Sequence, residues 1–600
     1  MKTALVQMKV VAGDIAGNLE KMVTQIRGAI KDEADIVAFP ELCVGGYLIG
    51  DKFFDPDYLR ELKMANDHLQ EFSRGKKIVI IYGNIFPVVS EIAESGRPAL
   101  WNAAIMLQDG KQWVQGKRLL PNYRIFDDKR YFVPARRSKD ISVKLQTGER
   151  VRIGLQVCED LWSENYNENP TRDLMEADMI FNLSASPYTR HKHRARRSAI
   201  KHHYLESGKE KIFFYVNNVG AQNNGKNIVT FDGGTGVYVD GEPRAEIGEF
   251  KERVLAWDTN PNTRRLCPLL DYQEKPEEQM QAIVAGIRHI DEFMGSDFPY
   301  IIGLSGGIDS AVSAFLLTQA VGPDRVIAVN MPSKYNSEAT ISAADHIAQV
   351  LGIDYTSFPI GGVLAHVKNE FLTHISRSLK NLDEENIQAK IRGTVILSTI
   401  AALEDGVMVN NGNKVEVATG YATLYGDVNG AIAPLGDLTK IEVWNLAKHI
   451  NDMYGAVNEP IIPEDIIMDT RTMTIQLPPS AELKEEQVDP FVWGFADAVI
   501  SYVTKYMRGS WDRLYKSSFE EIVDLLYNEV KEDIPNKDVF RAHLIENDLQ
   551  DKNTRGGEID WIRKKIEQSV FKRIQSPPIV MVSRTAFGYD LRESQLPQVY

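Results

Sequence analysis

The stretch GLSGGIDS, residues 303–310, follows the apolar run YII and precedes an amphipathic helix that we expect to begin near Ala311. The pattern predicts a strand, a glycine turn and a helix, in which backbone N–H groups at the helix N-terminus approach a phosphate chain. Ser305 and Ser310 add hydroxyl donors, and Asp309 is left free to hold Mg²⁺. The Walker sequence GxxxxGK[ST] does not occur in the chain. The sequence therefore predicts an oligophosphate-binding loop that is not of the Walker type.

Length and composition predict a two-domain α/β protein, because 600 residues exceed what one hydrophobic core supports. A formal net charge of -14 argues against a dedicated nucleic-acid binder. Three cysteines without a CxxC spacing predict neither a disulfide framework nor a zinc site. No apolar run reaches the length of a membrane span. We therefore expect a cytoplasmic chain that is neither exported nor inserted in a membrane.

The pattern of apolar runs divides the chain into residues 1–260, a linker at 261–275 and residues 276–600. Strand-like runs alternate with helical patterns, which predicts parallel sheets. Asn18 stands before one helical pattern as a candidate N-cap. The linker contains two prolines and lacks sustained periodicity. The strands expected in the first part are 4–8, 36–39, 77–82, 103–107, 151–157, 179–183 and 213–217.

Three side chains near predicted strand ends in the first part suggest nucleophilic chemistry: Glu41 in FPELCVGGY, Lys117 in GKRLLPNY and Cys158 in QVCEDLW. A cation lowers the pKa of a thiol and stabilises an oxyanion, and a carboxylate can act as a general base. The three segments resemble the catalytic segments of the nitrilase superfamily, and the resemblance covers residues 1–260. It implies an α-β-β-α sandwich in which Glu41 is the base, Lys117 the electrostatic partner and Cys158 the nucleophile that hydrolyses an amide.

The same resemblance implies a glutamine pocket, with the Glu159 backbone N–H as a second oxyanion donor. Asp128 stands where relatives carry a glutamate that supports the triad, so the shorter carboxylate either reaches the same place or leaves that role empty. The basic run 190–201 has two interpretations: a solvated or subunit-contacting helix face, and a partial clamp on an acidic ligand. The implied glutamine-binding residues are Tyr123, Glu159, Ser186 and Lys192.

The loop at 303–310 resembles the PP-loop of ATP pyrophosphatases, which cleave ATP to AMP and pyrophosphate. Four further segments follow it in order, and together they closely resemble the NAD synthetase family in its glutamine-dependent form. This resemblance covers nearly the whole chain and implies a Rossmann-like parallel sheet in residues 276–600. The segments are MPSKYNSEAT at 331–340, ENIQAKIRG at 385–393, NNGNKVEVATGYATLYGDVNGAIAPLGDLTK at 410–440 and PPSAELKEEQ at 478–487.

The resemblance implies that the chain catalyses the last step of NAD biosynthesis. The carboxylate of deamido-NAD attacks the α-phosphorus of ATP, and ammonia released from glutamine then displaces AMP. The resemblance also implies that Asp309 and Glu416 hold Mg²⁺. It further implies a homo-oligomer with no nucleic-acid or membrane partner. The implied ATP-binding residues are Gly303, Leu304, Ser305, Gly306, Gly307, Ile308, Asp309, Ser310 and Asn411, and those for deamido-NAD are Asn386, Arg392, Glu416, Lys440 and Lys572.

Two departures from the family pattern concern this second site. Relatives read TGNKSE where this chain reads NGNKVE, so Asn411 and Val415 alter the expected edge of the ATP site, and only Asn411 keeps hydrogen-bonding capacity. After Gln487 the chain reads VDPFVWGF in place of an acidic, proline-rich continuation, and the loop at 480–483 is expected to order on substrate binding.

Three rival functions each fit part of the sequence. An amide ligase with another carboxylate acceptor would share Cys158 and Asp309, but ENIQAKIRG and Lys440 favour deamido-NAD. A tRNA-modifying PP-loop protein would suit the basic run, but the net charge of -14 argues against it. A non-catalytic protein of this fold is disfavoured because both sets of site residues are chemically complete apart from the departures named.

Overall fold

The computed structural model describes residues 1–93, 96–204, 211–248, 250–260, 276–295, 297–456, 459–484, 487–506, 510–584 and 586–587. It divides into two compact units, Met1–Asn224 with Val229–Glu274 and Gly225–Ile228 with Lys275–Tyr600. The predicted linker at 261–275, which contains Cys267, lies outside the described residues. No helix in the described ranges combines the length and the apolar character needed to cross a membrane.

The apolar runs of the first unit form two six-stranded sheets, with the strand orders β14-β1-β2-β3-β4-β5 and β13-β12-β9-β8-β7-β6. The strands up to residue 258 are β1 Lys2–Gln7, β2 Ile36–Ala38, β3 Val79–Ile92, β4 Pro98–Gln108, β5 Lys111–Gly116, β6 Ile141–Lys144, β7 Arg150–Val157, β8 Met179–Ser184, β9 Ile212–Asn217, β10 Val219–Asn224, β11 Asn227–Asp232, β12 Gly236–Val239, β13 Glu242–Glu246 and β14 Arg253–Asp258. Two of these strands, β10 and β11, lie outside the two six-stranded sheets.

Five helices accompany these strands, and the core lies between the two sheets. Leu5 and Met106 of one sheet pack in the same buried cluster as Leu155 and Phe214 of the other. On the opposite face of the second sheet, Ile200 packs in a separate buried cluster. The layers are those of an α-β-β-α sandwich. The helices are α1 Ile15–Lys31, α2 Pro56–Ser73, α3 Asp128–Tyr131, α4 Pro170–Asp173 and α5 Lys192–Tyr204.

Two local expectations for the first unit were wrong. Its sheets are mixed rather than parallel, because hairpins and the pairing of β1 with β14 add antiparallel neighbours. The N-cap of α1 is Asp14, whose carboxylate accepts a hydrogen bond from the Gly17 N–H. Asn18 lies inside the helix and is buried, because its amide pairs with the backbone N–H and C=O of Val11.

The second unit contains a parallel sheet of order β17-β16-β15-β18. Its strands are β15 Tyr300–Gly303, β16 Val326–Asn330, β17 Asp354–Ser357 and β18 Val407–Met408, and β19 Ile579–Met581 lies near the end of the described chain. Its helices are α6 Pro276–Met294, α7 Ile308–Val321, α8 Glu338–Leu351, α9 Gly361–Ile375, α10 Leu382–Lys390, α11 Ser398–Leu403, α12 Lys414–Thr419, α13 Lys440–Tyr454, α14 Phe495–Tyr506, α15 Ser510–Lys516, α16 Phe519–Val530, α17 Lys537–Glu546, α18 Lys552–Gln568 and α19 Val570–Gln575, with a π-helix at Ile391–Leu397.

The phosphate loop lies between β15 and α7, as the sequence predicts. The helix begins at Ile308 rather than near Ala311, and nearly all of its first ten residues are buried, so it is not amphipathic. A parallel sheet carries such a loop at the carboxyl end of a strand, where α/β proteins bind their ligands. The fold therefore places the loop where it can serve a ligand.

Candidate active sites

In the first unit, Glu41 and Lys117 form a buried ion pair, with 2.9 Å between Oε1 and Nζ. Glu41 follows β2 and Lys117 follows β5, which is why two residues 76 positions apart meet at one end of a sheet. The Glu41 carboxylate is held in one orientation, because Asn102 Nδ2 donates to Oε1 at 2.7 Å and the Ala185 N–H donates to Oε2 at 2.7 Å.

Asp128 completes this charge cluster despite its shorter side chain. Its Oδ2 accepts from Lys117 Nζ at 2.7 Å, and its Oδ1 accepts from the Tyr47 hydroxyl at 2.6 Å. Although burial opposes a charge on Lys117, Asp128 and Glu41 raise its pKa well above the usual value. The first of the two alternatives considered for Asp128 therefore holds: the carboxylate reaches the lysine. The sequence had not singled out Tyr47 or Asn102, since neither carries a motif of its own.

Cys158 directly follows β7 and begins a short 3₁₀ turn, Cys158–Leu161. Its φ of +42° is a left-handed conformation, which is strained for a residue with a side chain and is frequent at functional sites. Burial raises the pKa of the Cys158 thiol well above its usual value; Glu41 adds to the rise and Lys117 opposes it. The expectation of a lowered thiol pKa was wrong, because desolvation outweighs the two cations Lys117 and Lys192. The resting thiol is protonated and needs a base.

The residues expected to bind glutamine lie around the Cys158 turn. The Tyr123 hydroxyl donates to Glu159 Oε1 at 2.9 Å, and the Tyr166 hydroxyl donates to the same oxygen at 2.9 Å. The Ser186 N–H donates to Asn217 Oδ1 at 2.8 Å. Tyr166 was missed by the sequence analysis, and its only signal is its position eight residues after the cysteine.

Lys192, a half-buried residue, brings an ammonium to this region, 4.2 Å from the centre of the Trp162 ring. Burial lowers its pKa to about 8, and Arg196 contributes, whereas Cys158 and Glu159 act in the opposite direction. A desolvated cation beside a buried carboxylate could bind the two charged groups of an amino acid. The site thus has a base, a thiol and a polar pocket.

The basic run 190–201 forms structural ion pairs, and its helix is only partly exposed. Arg196 is buried and lies 3.1 Å from Asp232, and Arg197 pairs with Glu246. A solvated face does not describe these two arginines, because their charges are used inside the fold. The run therefore supports the architecture of the first unit.

In the second unit, the phosphate loop opens onto a cavity of about 620 Å³. Gly306 must be glycine, because its φ is +84° and an added Cβ would lie 1.9 Å from the Thr340 carbonyl oxygen. Ser310 Oγ donates to the Gly307 carbonyl at 2.9 Å and lies 3.2 Å from Ser305 Oγ. Of the expected site residues, Gly303, Ser305, Gly306, Gly307, Ile308, Asp309, Ser310, Arg392, Asn411, Glu416, Lys440 and Lys572 line this cavity.

Asp309 is paired rather than free in this structure. Its Oδ2 lies 2.5 Å from Lys440 Nζ, and its Oδ1 accepts from Asn413 Nδ2 at 3.3 Å. Glu416 lines the cavity near this pair, and burial followed by the Asp309 charge raises its pKa well above the usual value. The sequence had placed Lys440 on the phosphates or dinucleotide, and in the structure its first partner is Asp309.

The donor set fits Mg²⁺ when ATP supplies the remaining ligands. Asp309 and Glu416 are hard carboxylates that repel each other, and Mg²⁺ is commonly held by one or two carboxylates plus substrate phosphates. Within the described ranges, no group of three or more His, Cys, Asp and Glu side chains is arranged to hold an ion by itself. Asp489, which the sequence analysis missed, also lines the cavity, and burial raises its pKa to about 6 against the pull of Lys440.

The residues expected to contact deamido-NAD divide into two groups. Arg392 lies in the π-helix, donates to the Met331 carbonyl at 3.0 Å and lines the cavity. Lys572 also lines it and donates to the Gly420 carbonyl at 2.8 Å. Asn386 is not among the described residues that line the cavity, and its Oδ1 accepts from Thr423 at 2.8 Å.

Of three further residues considered at the ATP site, Asn411 lines the cavity as expected, whereas Val415 and Leu304 are buried. Asn411 lines the cavity and its Nδ2 donates to the Gly303 carbonyl at 2.8 Å. Val415 is fully buried in α12, so it does not form the edge of the site. Leu304 is buried within the loop, is not among the described residues that line the cavity, and donates its backbone N–H to the Val329 carbonyl at 3.0 Å.

The loop at 480–483 covers part of the cavity through Glu482. This carboxylate accepts from Asn336 Nδ2 at 2.7 Å and from Thr340 Oγ1 at 3.0 Å. Gln388 donates to the Leu483 carbonyl at 2.9 Å. The ordering of this loop on substrate binding stays a prediction.

Two family models match the chain: carbon-nitrogen hydrolase over residues 2–267 and NAD synthase over residues 280–513. The chain is 34% identical to a glutamine-dependent NAD(+) synthetase of Synechocystis sp., covering 81% of this chain and 85% of that protein. It is 30% identical to the protein of that name in Xanthomonas campestris pv. campestris, over 99% of this chain and 96% of the relative.

Two solved structures are similar over nearly the whole chain. One is a glutamine-dependent NAD+ synthetase from Acinetobacter baumannii in complex with ADP, with 27% identity, coverage of 99% of this chain and 97% of that chain, and a TM-score of 0.69. The other, from Cytophaga hutchinsonii, is 16% identical with a TM-score of 0.74 over 100% of this chain and 98% of that chain, and shows the fold alone.

Proposed function

Because the chain belongs to the family of glutamine-dependent NAD(+) synthetases, we propose that it converts deamido-NAD to NAD with ATP and glutamine. The observation that carries this proposal is that one chain holds two different centres. The first unit has a buried carboxylate, lysine and thiol, and the second has a glycine-rich phosphate loop opening onto a cavity. An amide-hydrolysing centre and an ATP site together suit amidation of a carboxylate.

In the first unit, Glu41 takes the proton of the Cys158 thiol as the sulfur attacks the amide carbon of glutamine. Lys117 has three N–H bonds and uses two on Glu41 and Asp128, so one remains for the developing oxyanion. Glu41 then passes its proton to the departing ammonia, leaving a thioester. Glu41 next removes a proton from water, which cleaves the thioester to glutamate and restores the thiol.

In the second unit, a carboxylate oxygen of deamido-NAD attacks the α-phosphorus of ATP and pyrophosphate leaves. Ammonia then attacks the carbonyl carbon, the C–O bond to AMP breaks, and NAD forms after loss of a proton. The loop N–H groups with the Ser305 and Ser310 hydroxyls bind the phosphates, and Arg392 binds deamido-NAD. Lys440 and Lys572 supply positive charge to the phosphate chains.

Asp309 and Glu416 would hold Mg²⁺ together with phosphate oxygens of ATP. When bound, the ion supplies charge neutralisation for the departing pyrophosphate. The pairing of Asp309 with Lys440 supports this placement, because the same carboxylate already holds a cation in the structure.

One reaction mixture tests the proposed function. Purified protein is incubated with deamido-NAD, ATP, Mg²⁺ and glutamine, and NAD, AMP, pyrophosphate and glutamate are each measured. We expect equal amounts of NAD, AMP and pyrophosphate, with NAD also formed when ammonia replaces glutamine. Omitting deamido-NAD and supplying other carboxylates tests the rival amide ligase. A product from another carboxylate, or ADP in place of AMP, would contradict the proposal.

We further propose that the protein acts as a homo-oligomer in the cytoplasm, as the family resemblance implies. Light scattering coupled to gel filtration measures the first property, and fluorescence imaging of a tagged chain measures the second. A monomeric mass at micromolar concentration would contradict the oligomer.

A further inference from the structure

Asp160 is fully buried two positions after Cys158, and three backbone N–H groups converge on its carboxylate. Its Oδ2 accepts from the Val157 N–H at 3.1 Å. Its Oδ1 accepts from the Arg118 N–H at 3.0 Å and from the Leu119 N–H at 2.9 Å. One side chain therefore joins two separate loops of the first unit.

Those two loops carry the reacting groups of the proposed amide-hydrolysing centre. Val157 immediately precedes Cys158 at the end of β7, and Arg118 immediately follows Lys117 after β5. The left-handed backbone conformation of Cys158 persists only if neighbouring groups hold it. The hydrogen bond from the Val157 N–H to Asp160 lies directly before Cys158 in the chain. Side chains that react together must be held within about 0.5 Å of the geometry in which the reaction occurs.

We propose that Asp160 is a positioning residue that fixes the Cys158 thiol relative to the Lys117 ammonium. The inference rests on the proposed roles of Cys158 and Lys117 and adds the group that sets the distance between them. Nothing in the steps assigned to Glu41, Lys117 and Cys158 uses Asp160 directly.

The chemistry of the three donors explains why this residue is a carboxylate. An ionised carboxylate only accepts hydrogen bonds, so both oxygens can face N–H groups. Burial raises the pKa of Asp160 to about 6, against the bonds from Leu119 and Val157, so the group is mostly ionised at pH 7.5. An asparagine would turn its own N–H₂ toward at least one of the donors. If the asparagine keeps its oxygen toward Arg118 and Leu119, two hydrogen bonds remain. The hydrogen bond from the Val157 N–H, at the cysteine turn, is then lost.

Asp160→Asn is the test variant, since it preserves size and removes one acceptor. Asp173→Asn is the matched control, because Asp173 is half exposed and touches only the side chain of Arg118 in the same segment. We expect Asp160→Asn to lower the kcat of glutamine hydrolysis about 10²-fold, the effect of a shift of about 1 Å, with little change in KM. Ammonia-supported synthesis and the control should match wild type.

Alkylation of Cys158 by iodoacetamide, followed by mass spectrometry of its peptide, separates positioning from other roles. If the thiol moves away from Lys117, the pH at which alkylation is half-maximal should rise. If Asp160 acts only as a negative charge, that pH should fall and alkylation should accelerate. A lowered melting temperature with unchanged kcat and pH profile would mean a purely structural role. The last two results overturn the proposal. The charged and titratable groups that face the thiol are Glu41, Tyr47, Lys117, Tyr123, Glu159, Lys192 and Tyr215.

A milder variant decides the matter if Asp160→Asn fails to fold. The Thr171 hydroxyl lies 3.1 Å from Gln156 Oε1 in β7 and 3.3 Å from the Asp160 carbonyl oxygen, so Thr171→Val loosens the turn without changing its charge. A several-fold loss of kcat with the same upward pH shift supports the proposal, and wild-type behaviour contradicts it. Glutamine-dependent turnover in Cys158→Ala would instead overturn the proposed role of Cys158 as the nucleophile, which keeps the two failures distinguishable.

Discussion

Lys117 and Asp128 form an ion pair of 2.7 Å in which the two side chains are only 1% and 3% exposed. The aspartate is one methylene shorter than a glutamate, yet it meets the lysine from its position at the start of α3, Asp128–Tyr131. The Tyr47 hydroxyl then occupies its other oxygen.

Asp128→Asn should lower the kcat for glutamine by about 10²-fold, because Lys117 loses one of two buried counter-charges that keep it an ammonium. Glutamate release at saturating glutamine measures the effect. Ammonia-supported synthesis should stay near wild type. A kcat within twofold of wild type would show that Glu41 alone holds the lysine.

Cys158→Ala should reduce glutamine-supported NAD formation by more than about 10³-fold while ammonia-supported formation continues, because only amide hydrolysis needs the sulfur. NAD is measured with each nitrogen source in parallel. Cys43→Ala is the matched control, since Cys43 is also buried but carries no proposed role. Unchanged glutamine-dependent turnover in Cys158→Ala would remove the nucleophile assignment.

Asp309→Asn should reduce synthesis at least about 10²-fold with either nitrogen source, because the amide holds neither Lys440 nor a phosphate-bound cation as a carboxylate does. Glutamate release should persist, since the chemistry of the first unit is separate. Ammonia-dependent synthesis at the wild-type rate in Asp309→Asn would show that another residue holds the phosphate-bound cation. Asp489 is the next candidate.

Lys192 should make glutamine binding sensitive to alkaline pH. Its pKa is lowered to about 8, chiefly by burial, so the ammonium is present below that pH and lost above it. KM for glutamine should rise as the pH passes through about 8. In Lys192→Arg the guanidinium stays charged over this pH range. Any rise in KM that the wild type and the variant share is therefore caused by deprotonation of the amino group of glutamine. Identical profiles for the two proteins would exclude Lys192 from carboxylate binding.

Oxygen-18 in the carboxylate of deamido-NAD should appear in AMP as the amide forms, because attack at the α-phosphorus transfers one carboxylate oxygen. Mass spectrometry of AMP and orthophosphate resolves the label. We expect one labelled AMP and one pyrophosphate for each NAD. Labelled orthophosphate with ADP would mean attack at the γ-phosphorus, and the interpretation of the 303–310 loop would be wrong.

Much of the fold and of both candidate sites could be predicted from local sequence. The strand preceding Cys158 and the strand preceding the phosphate loop are short apolar runs, and their ends place the site residues after them. Gly306 could be recognised as part of a turn because such turns need glycine. Asn18 was misplaced because an N-cap depends on which residue makes the first bond, and Asp14 makes it.

The sequence by itself determined the order of elements, the two families of motif and the candidates for the reacting side chains, because these depend on residues close together in the chain. Only the tertiary structure decided that Lys440 pairs with Asp309 across 131 positions, that Val415 lies inside the core and that Asp160 joins two loops. It also decided that burial raises the pKa of the Cys158 thiol despite the nearby cations. Ionisation and pairing are set by through-space distance and by removal of water, and both exist only once distant segments have packed together.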